Sequence, residues 1–117
     1  MQADQTIRAL GALAQEHRLA VFRLLVEAGT AGLAAGALAE LVGVPASSLS
    51  FHLAQLSAAG LVTQRRAGRS IIYSADFPAM NGLIAYLTEN CCAGADCEIP
   101  AAAARPDAAR PWAGCPR

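Results

Sequence analysis

Between residues 4 and 28, apolar side chains recur every three to five positions, at Ile7, Leu10, Ala14, Leu19, Phe22 and Leu25, before Gly29 ends the run. This period predicts one long amphipathic helix with its apolar stripe toward a core. After a Gly- and Ala-rich stretch, Leu38, Leu41 and Val42 predict a short helix over residues 35–42, with Gly43 as its turn. Pro45 stands where another helix begins, since its fixed φ and missing N–H suit a first helical turn. That helix is expected to run to about Ala59 and to stop at Gly60. Residues 61–64 are of β type, 65–68 read as a turn, and Ile71, Ile72 and Tyr73 fill a second strand over 70–74, so a hairpin is expected. The last predicted helix covers residues 80–88, with Leu83, Ile84 and Leu87 at helical spacing. Beyond Asn90 the composition turns to Cys, Ala and Pro. Pro100, Pro106, Pro111 and Pro116 work against any long regular element there, and a flexible tail is expected.

Helix, tight turn, Ser-bearing helix and hairpin, in that order, are the parts of a winged helix-turn-helix. The expected fold class is mainly α with a β-hairpin wing. Its DNA-binding and dimerisation domain would cover residues 1–90, and residues 91–117 would hold a Cys-bearing ligand segment and a Pro/Ala-rich tail. At about 100° per residue, Leu53 and Leu56 fall within about 40° of Leu49, so these three face the core. Ser47, Phe51 and Gln55 then point outward, Ser48 and Ser50 flank that face, and His52 lies beside the leucine stripe. Short hydroxyls and an amide on an exposed helix can approach base edges and phosphates closely. An outward phenyl ring gains nothing in water, so Phe51 suits a thymine methyl or a sugar. Arg65, Arg66 and Arg69, at the hairpin tip, would grip phosphates or enter the adjacent minor groove. His52 is expected to be a hydrogen-bonded packing residue rather than a catalytic one.

Residues 47–62, Ser-Ser-Leu-Ser-Phe-His-Leu-Ala-Gln-Leu-Ser-Ala-Ala-Gly-Leu-Val, resemble the recognition-helix signature of the arsenic-responsive repressor (ArsR) family. Residues 14–25, Ala-Gln-Glu-His-Arg-Leu-Ala-Val-Phe-Arg-Leu-Leu, are similar to that family's opening segment, and Arg65, Arg66 and Arg69 followed by Tyr73 resemble its wing. The resemblance covers roughly residues 5–90. It implies a homodimer formed by the first and last helices, bound to a two-fold operator in double-stranded DNA and repressing until an inducer arrives. Two recognition helices about one DNA turn apart would require an imperfect palindrome. Two places where the family often holds metal carry no ligands here. No cysteine lies between Leu38 and Leu49, where a Cys-x-Cys pair is frequent; Phe77 and Pro78 follow Asp76, and no histidine follows His52. A zinc or nickel sensor of that pattern is therefore not expected.

Composition changes this picture little. Aromatic residues are 5 % of the 117 positions, so a core must come from Leu, Ala, Val and Ile. No apolar stretch approaches the ~20 residues of a membrane span, and no basic-then-apolar leader opens the chain. A cytoplasmic protein with no membrane partner is expected. Zero net charge argues against a nucleic-acid partner until its distribution is considered. All nine basic residues are arginines, and Arg65, Arg66 and Arg69 lie in an acid-free stretch over 61–73. From 70 to 104 the pattern reverses: Asp76, Glu89, Asp96 and Glu98 occur there, and no basic residue does. A basic spot followed by an acidic, thiol-bearing stretch suggests two sites for two partners.

Those thiols are Cys91, Cys92, Cys97 and Cys115, all in the last quarter of the chain, which is not a disulfide framework spread over a small fold. Cys91, Cys92 and Cys97 fall within seven residues, with Gly94 to let the backbone fold back. Adjacent side chains on a continuing helix diverge by about 100°, so the segment must leave the helix for three sulfurs to converge. Soft thiolates select soft acceptors. Trivalent arsenic takes three sulfurs in a pyramid with its lone pair in the fourth direction, and antimony(III) makes the same demand. The layout resembles ArsR members whose arsenic site lies at the C-terminal end of the last helix. Other readings stay open: cadmium or lead on three or four thiolates, zinc completed by Cys115 or Asp96, or a thiol redox switch. The acidic neighbours disfavour thiolate and so weigh against the last. An enzyme such as a thiol-dependent arsenate reductase would need an anion-binding loop around its nucleophile, and none surrounds Cys91 or Cys97. The chain is thus expected to be a non-enzymatic repressor without a required cofactor, induced by trivalent arsenic through Cys91, Cys92 and Cys97.

Overall fold

The computed structural model describes residues 1–90. Contacts divide the chain after residue 86, and Met1–Tyr86 forms one compact unit. Its elements run α1 (Ala3–Leu13), α2 (Glu16–Ala28), a 3-10 turn (Gly29–Ala31), β1 (Leu33–Ala34), α3 (Ala35–Val42), α4 (Ala46–Ala58), β2 (Val62–Ala67), β3 (Ser70–Ala75) and α5 (Phe77–Leu87).

The single long helix expected over residues 4–28 is two helices. The break falls at Ala14 and Gln15, with Gln15 extended at φ −157° and ψ 133°. No Gly or Pro signals it. Instead Gln15 acts as an N-cap: its Oε1 accepts from the Arg18 backbone N–H at 3.0 Å, satisfying a donor that has no partner within the helix. Arg18 in turn donates its Nε to the Ala12 carbonyl at 2.6 Å, satisfying an acceptor at the end of α1. The break changes which side chains are inside. Helix α1 buries Thr6, Ala9 and Ala12, while Ile7 and Leu10 stay 68 % and 42 % exposed. Helix α2 buries Phe22 and Leu25 as its period predicts, but it also buries Val21, which the predicted stripe left out, while Leu19 is exposed. Buried Thr6 is satisfied locally, its Oγ1 donating to the Gln2 carbonyl at 3.0 Å.

The core lies where α1, α2, α3 and α4 meet, and Val21, Leu25, Leu38, Leu49, Leu56 and Leu61 are its largest fully enclosed side chains. Leucine, valine and alanine supply most of it, as the scarcity of aromatics requires, with Phe22 the one buried aromatic among the described residues and no isoleucine among the buried side chains. The sheet is antiparallel, in the order β1-β3-β2. Strand β1, not foreseen in the Gly/Ala-rich stretch, has two residues, and Leu33 and Ala34 pair with Tyr73 and Ile72. It pins the hairpin to the helical body.

The hairpin is longer and tighter than expected. Residues 65–67, read as turn, continue β2, and Arg65 pairs with Ile72, Arg66 with Ile71, and Ala67 with Ser70. Only Gly68 and Arg69 remain between the strands. Helix α5 begins three residues before the predicted start because Asp76 caps it, its Oδ1 accepting from the Ala79 N–H at 3.0 Å. Leu83 is buried on α5, but Ile84 is 53 % exposed. No single helix among the described residues is long and apolar enough to cross a membrane.

Candidate nucleic-acid interface

The interface begins with the turn between α3 and α4. Gly43 closes α3 in the left-handed region, at φ 80° and ψ 35°, where its N–H donates to the Ala39 carbonyl at 2.8 Å. Pro45 sits one position before the helix, extended at φ −63° and ψ 154°, and its carbonyl accepts the first α4 hydrogen bond, from Leu49 N–H at 3.0 Å. The chain turns through 108° between the two helices, within the range of a helix-turn-helix. Leu49, Leu53 and Leu56 are buried as their phase predicts, and this fixes the rotation of α4 about its axis. Ser47, Ser50, Phe51 and Gln55 are therefore exposed, and Ser48 is half-buried. Phe51 is 58 % exposed, a large apolar surface on a face of hydroxyls and amides.

The wing sets its arginines on different faces. Side chains alternate along a strand, so Val62, Gln64 and Arg66 share one face of β2 with Ala75, Tyr73 and Ile71 opposite on β3. This face looks toward α4. A groove of about 340 Å3 between them is lined by Ser50, Ala54, Ser57, Gln64 and Tyr73. Arg69, at the tip, borders a neighbouring hollow of about 380 Å3 with Gly36, Ser50 and Tyr73. Arg65 points to the other face, where its Nη2 donates to the Ala31 carbonyl at 2.9 Å. The three arginines expected together at the tip are thus divided: Arg66 and Arg69 on or beside the recognition-helix side, Arg65 tying the wing to the 3-10 turn. Strand alternation, had β2 been followed through residue 67, would have separated them. The same alternation would have added Gln64 and Tyr73 to the candidate residues.

Between Glu40 and Asp76 there is no acidic side chain, so nothing on α4 or the wing opposes a polyanion. His52 stands on the flank of α4 away from the wing, its ring 5.6 Å from that of His17 and 5.9 Å from that of Phe51. It packs, as expected, but its Nδ1 is buried and meets no hydrogen-bond partner, contrary to expectation. Burial holds its pKa below the ordinary value of 6.5, and the charges of Arg18 and His17 push the same way. Cys91, Cys92, Cys97 and Cys115 lie outside the described residues. Among the described residues no three His, Cys, Asp or Glu side chains are grouped to hold a metal ion. Asp76 is engaged as the α5 cap.

Residues 13–65 match a family described as a helix-turn-helix domain. Over 90 residues the chain is 34 % identical to the HTH-type transcriptional regulator YgaV of Escherichia coli K12, covering 77 % of this chain and 89 % of that protein. An ArsR-like transcriptional regulator from Rhodococcus sp. RHA1 superposes with a TM-score of 0.66 at 30 % identity, over 78 % of this chain and 82 % of that one. The chain belongs to the ArsR family of winged helix-turn-helix transcriptional regulators. The homodimeric winged helix-turn-helix DNA-binding domain of Mb0332 from Mycobacterium bovis superposes with a TM-score of 0.60 at 28 % identity, over 80 % and 86 %. ArsR proteins of this kind are regulators, not enzymes.

Proposed function

We propose that this ArsR-family chain is a homodimeric cytoplasmic repressor that binds a palindromic operator and leaves it when trivalent arsenic, or antimony of the same valence, is bound by Cys91, Cys92 and Cys97. The observation that carries DNA binding is the outward side of α4. Ser47, Ser48, Ser50, Phe51 and Gln55 lie along it, Arg66 and Arg69 border it, and no carboxylate interrupts it. Helix α4 would lie in the major groove, with the short hydroxyls and Phe51 on base edges and the wing arginines on the flanking backbone. Arg65 contributes by holding the wing, and its remaining N–H groups can still reach a phosphate. Self-association is supported by exposed Ile7 and Leu10 on α1 and Ile84 on α5, and by the homodimeric relative. The N-terminal residue lies against α5: a Cβ added at Gly82 would be 3.7 Å from Cβ of Met1, two positions before α1.

The inducer assignment rests on donor chemistry. Three thiols within seven residues match the pyramidal preference of trivalent arsenic, and Cys91 follows Leu87, the last residue of α5, by four positions. Gathering these sulfurs around one ion at the end of a dimer helix changes how two protomers sit, and with it the spacing of the recognition helices. Such couplings are typically about 1–3 kcal/mol, and reciprocity requires DNA to weaken the ion's binding equally. Titrating arsenite into a fluorescent complex of the protein with a duplex selected from a random pool tests both parts. Release with Cys91→Ser and Cys92→Ser unresponsive but still DNA-bound is expected. A wild type that binds no duplex removes the regulator reading, and unchanged affinity at saturating arsenite removes the inducer. Cys97→Ser separates ligands, because a vicinal pair suffices for methylarsenite but not for arsenite.

A further inference from the structure

On the side of α4 away from the wing, the ends of α1 and α4 and the start of α2 enclose a hollow of about 250 Å3 whose rim includes Arg8, Arg18 and Gln55. We propose that this hollow binds a phosphodiester of the DNA backbone, so that each protomer grips the duplex on both flanks of its recognition helix rather than on the wing side alone. The proposal rests on the DNA-binding reading above.

Three observations support it. Charge comes first: the rim holds two guanidinium groups and no carboxylate, an arrangement suited to an anion. The second is a fixed guanidinium. Arg18 is half-buried, its Nε is committed to the Ala12 carbonyl at 2.6 Å, and its backbone N–H is held by Gln15 at 3.0 Å. A guanidinium has five N–H donors in a rigid fork. With Nε anchored, the terminal nitrogens present a set direction instead of sweeping through water, so little entropy is lost on meeting a phosphate. The third is position. Ser50 borders the wing groove and Gln55 borders this hollow. Five residues separate them, about 140° around a helix, and Ser47 and Phe51 fall in the arc between. A duplex seated on Ser47 and Phe51 therefore brings one backbone toward Arg66 and Arg69 and the other toward Arg8 and Arg18. The Gln55 amide can donate to a phosphate oxygen there, which gives it a role distinct from base reading.

The test uses the full chain, with a duplex selected by the wild type from a random pool and an unrelated duplex of equal length. Arg8 is the residue to change, because Arg18 also caps α1. Affinities are measured across a series of KCl concentrations for wild type, Arg8→Ala and Arg23→Ala, the last an exposed arginine on α2 that lines a different hollow. Arg8→Ala is expected to weaken both duplexes by a similar factor and to flatten the slope of log K against log salt by about 0.9 per protomer, about 1.8 per dimer. A neutral methylphosphonate at the contacted position should cost wild type more affinity than it costs Arg8→Ala, in which only Arg18 and Gln55 remain to lose the charge. An unchanged slope in Arg8→Ala while wild type binds normally overturns the inference and leaves the DNA-binding reading standing. An equal loss in Arg23→Ala also overturns it, since general charge would then suffice. Inorganic phosphate that binds the free protein through Arg8, with the DNA slope unaltered, would assign the hollow to a free anion and overturn it as well.

Discussion

Gly32 sits where the wing is fastened to the helical body, and replacing it with alanine isolates what that fastening is worth. Its backbone is at φ 71° and ψ −171°, a region open essentially to glycine alone. A Cβ there would press on the Tyr73 carbonyl oxygen, and would lie 2.6 Å from Ser74 Oγ and 2.8 Å from Ile72 Cγ2. Two of those three belong to the residues that pair with β1, so the strands could not keep their register around the new methyl. Gly29 is the matched control. It shares the backbone region, at φ 71° and ψ −157°, but an added Cβ there meets nothing within 4 Å. Gly29→Ala should cost only the backbone strain, about 1–3 kcal/mol. Gly32→Ala should cost that plus about 1–3 kcal/mol of overpacking, about 2–6 kcal/mol in all. At roughly 4 °C per kcal/mol for a chain of this size, Tm falls by about 4–12 °C for Gly29→Ala and about 8–24 °C for Gly32→Ala. Thermal unfolding by circular dichroism at one fixed protomer concentration measures both, since a dimer's Tm depends on concentration. Operator affinity well below both transitions should also drop in Gly32→Ala, because β1 and the Arg65 bond to Ala31 orient the wing. Equal Tm shifts for the two variants would refute the reasoning, showing that the close approach of Gly32 to β3 contributes nothing.

On α4, Leu53 is 2 % exposed, so Leu53→Ala should lose about 2–5 kcal/mol of stability in urea unfolding. Phe51→Ala should leave that transition within about 0.5 kcal/mol and lower operator affinity instead, read by fluorescence anisotropy. Burial lowers the His52 pKa below 6.5, with Arg18 and His17 adding to the effect, so the unfolded chain takes up this proton before the folded one. Stability is then full above about pH 6.5, falls as pH drops from there to the folded-state value, and levels off below it. A denaturation series over that window should show a smaller fall in His52→Gln. Ile7→Glu, placing a charge on the exposed apolar side of α1, should shift sedimentation from dimer to monomer without unfolding the protomer. Retention of the dimer would move the interface elsewhere.

Much of this protein is local. The α3 limits, the turn at Gly43, the leucine stripe of α4, the stop before Gly60 and the presence of a hairpin all follow from short-range periodicity and turn chemistry, because each depends on residues within a few positions of one another. The identity of the outward α4 face follows too, since burying Leu49, Leu53 and Leu56 leaves only one rotation for the rest. What needed the tertiary structure depends on partners distant in sequence. A helical period runs through Ala14 and Gln15 without interruption, and the chain breaks there because α1 and α2 must both pack on α4, with Gln15 and Arg18 satisfying the ends that the break exposes. Strand β1 is two residues of otherwise featureless sequence, made a strand by pairing with Tyr73 and Ile72 some 40 positions later. The parting of Arg65 from Arg66 is a consequence of hairpin length, which cross-strand pairing sets. Arg8 and Gln55, 47 positions apart, border one hollow only because three helices converge. Periodicity reports which side of an element is apolar; it carries no information about which other element will cover that side, and the interface is assembled from those choices.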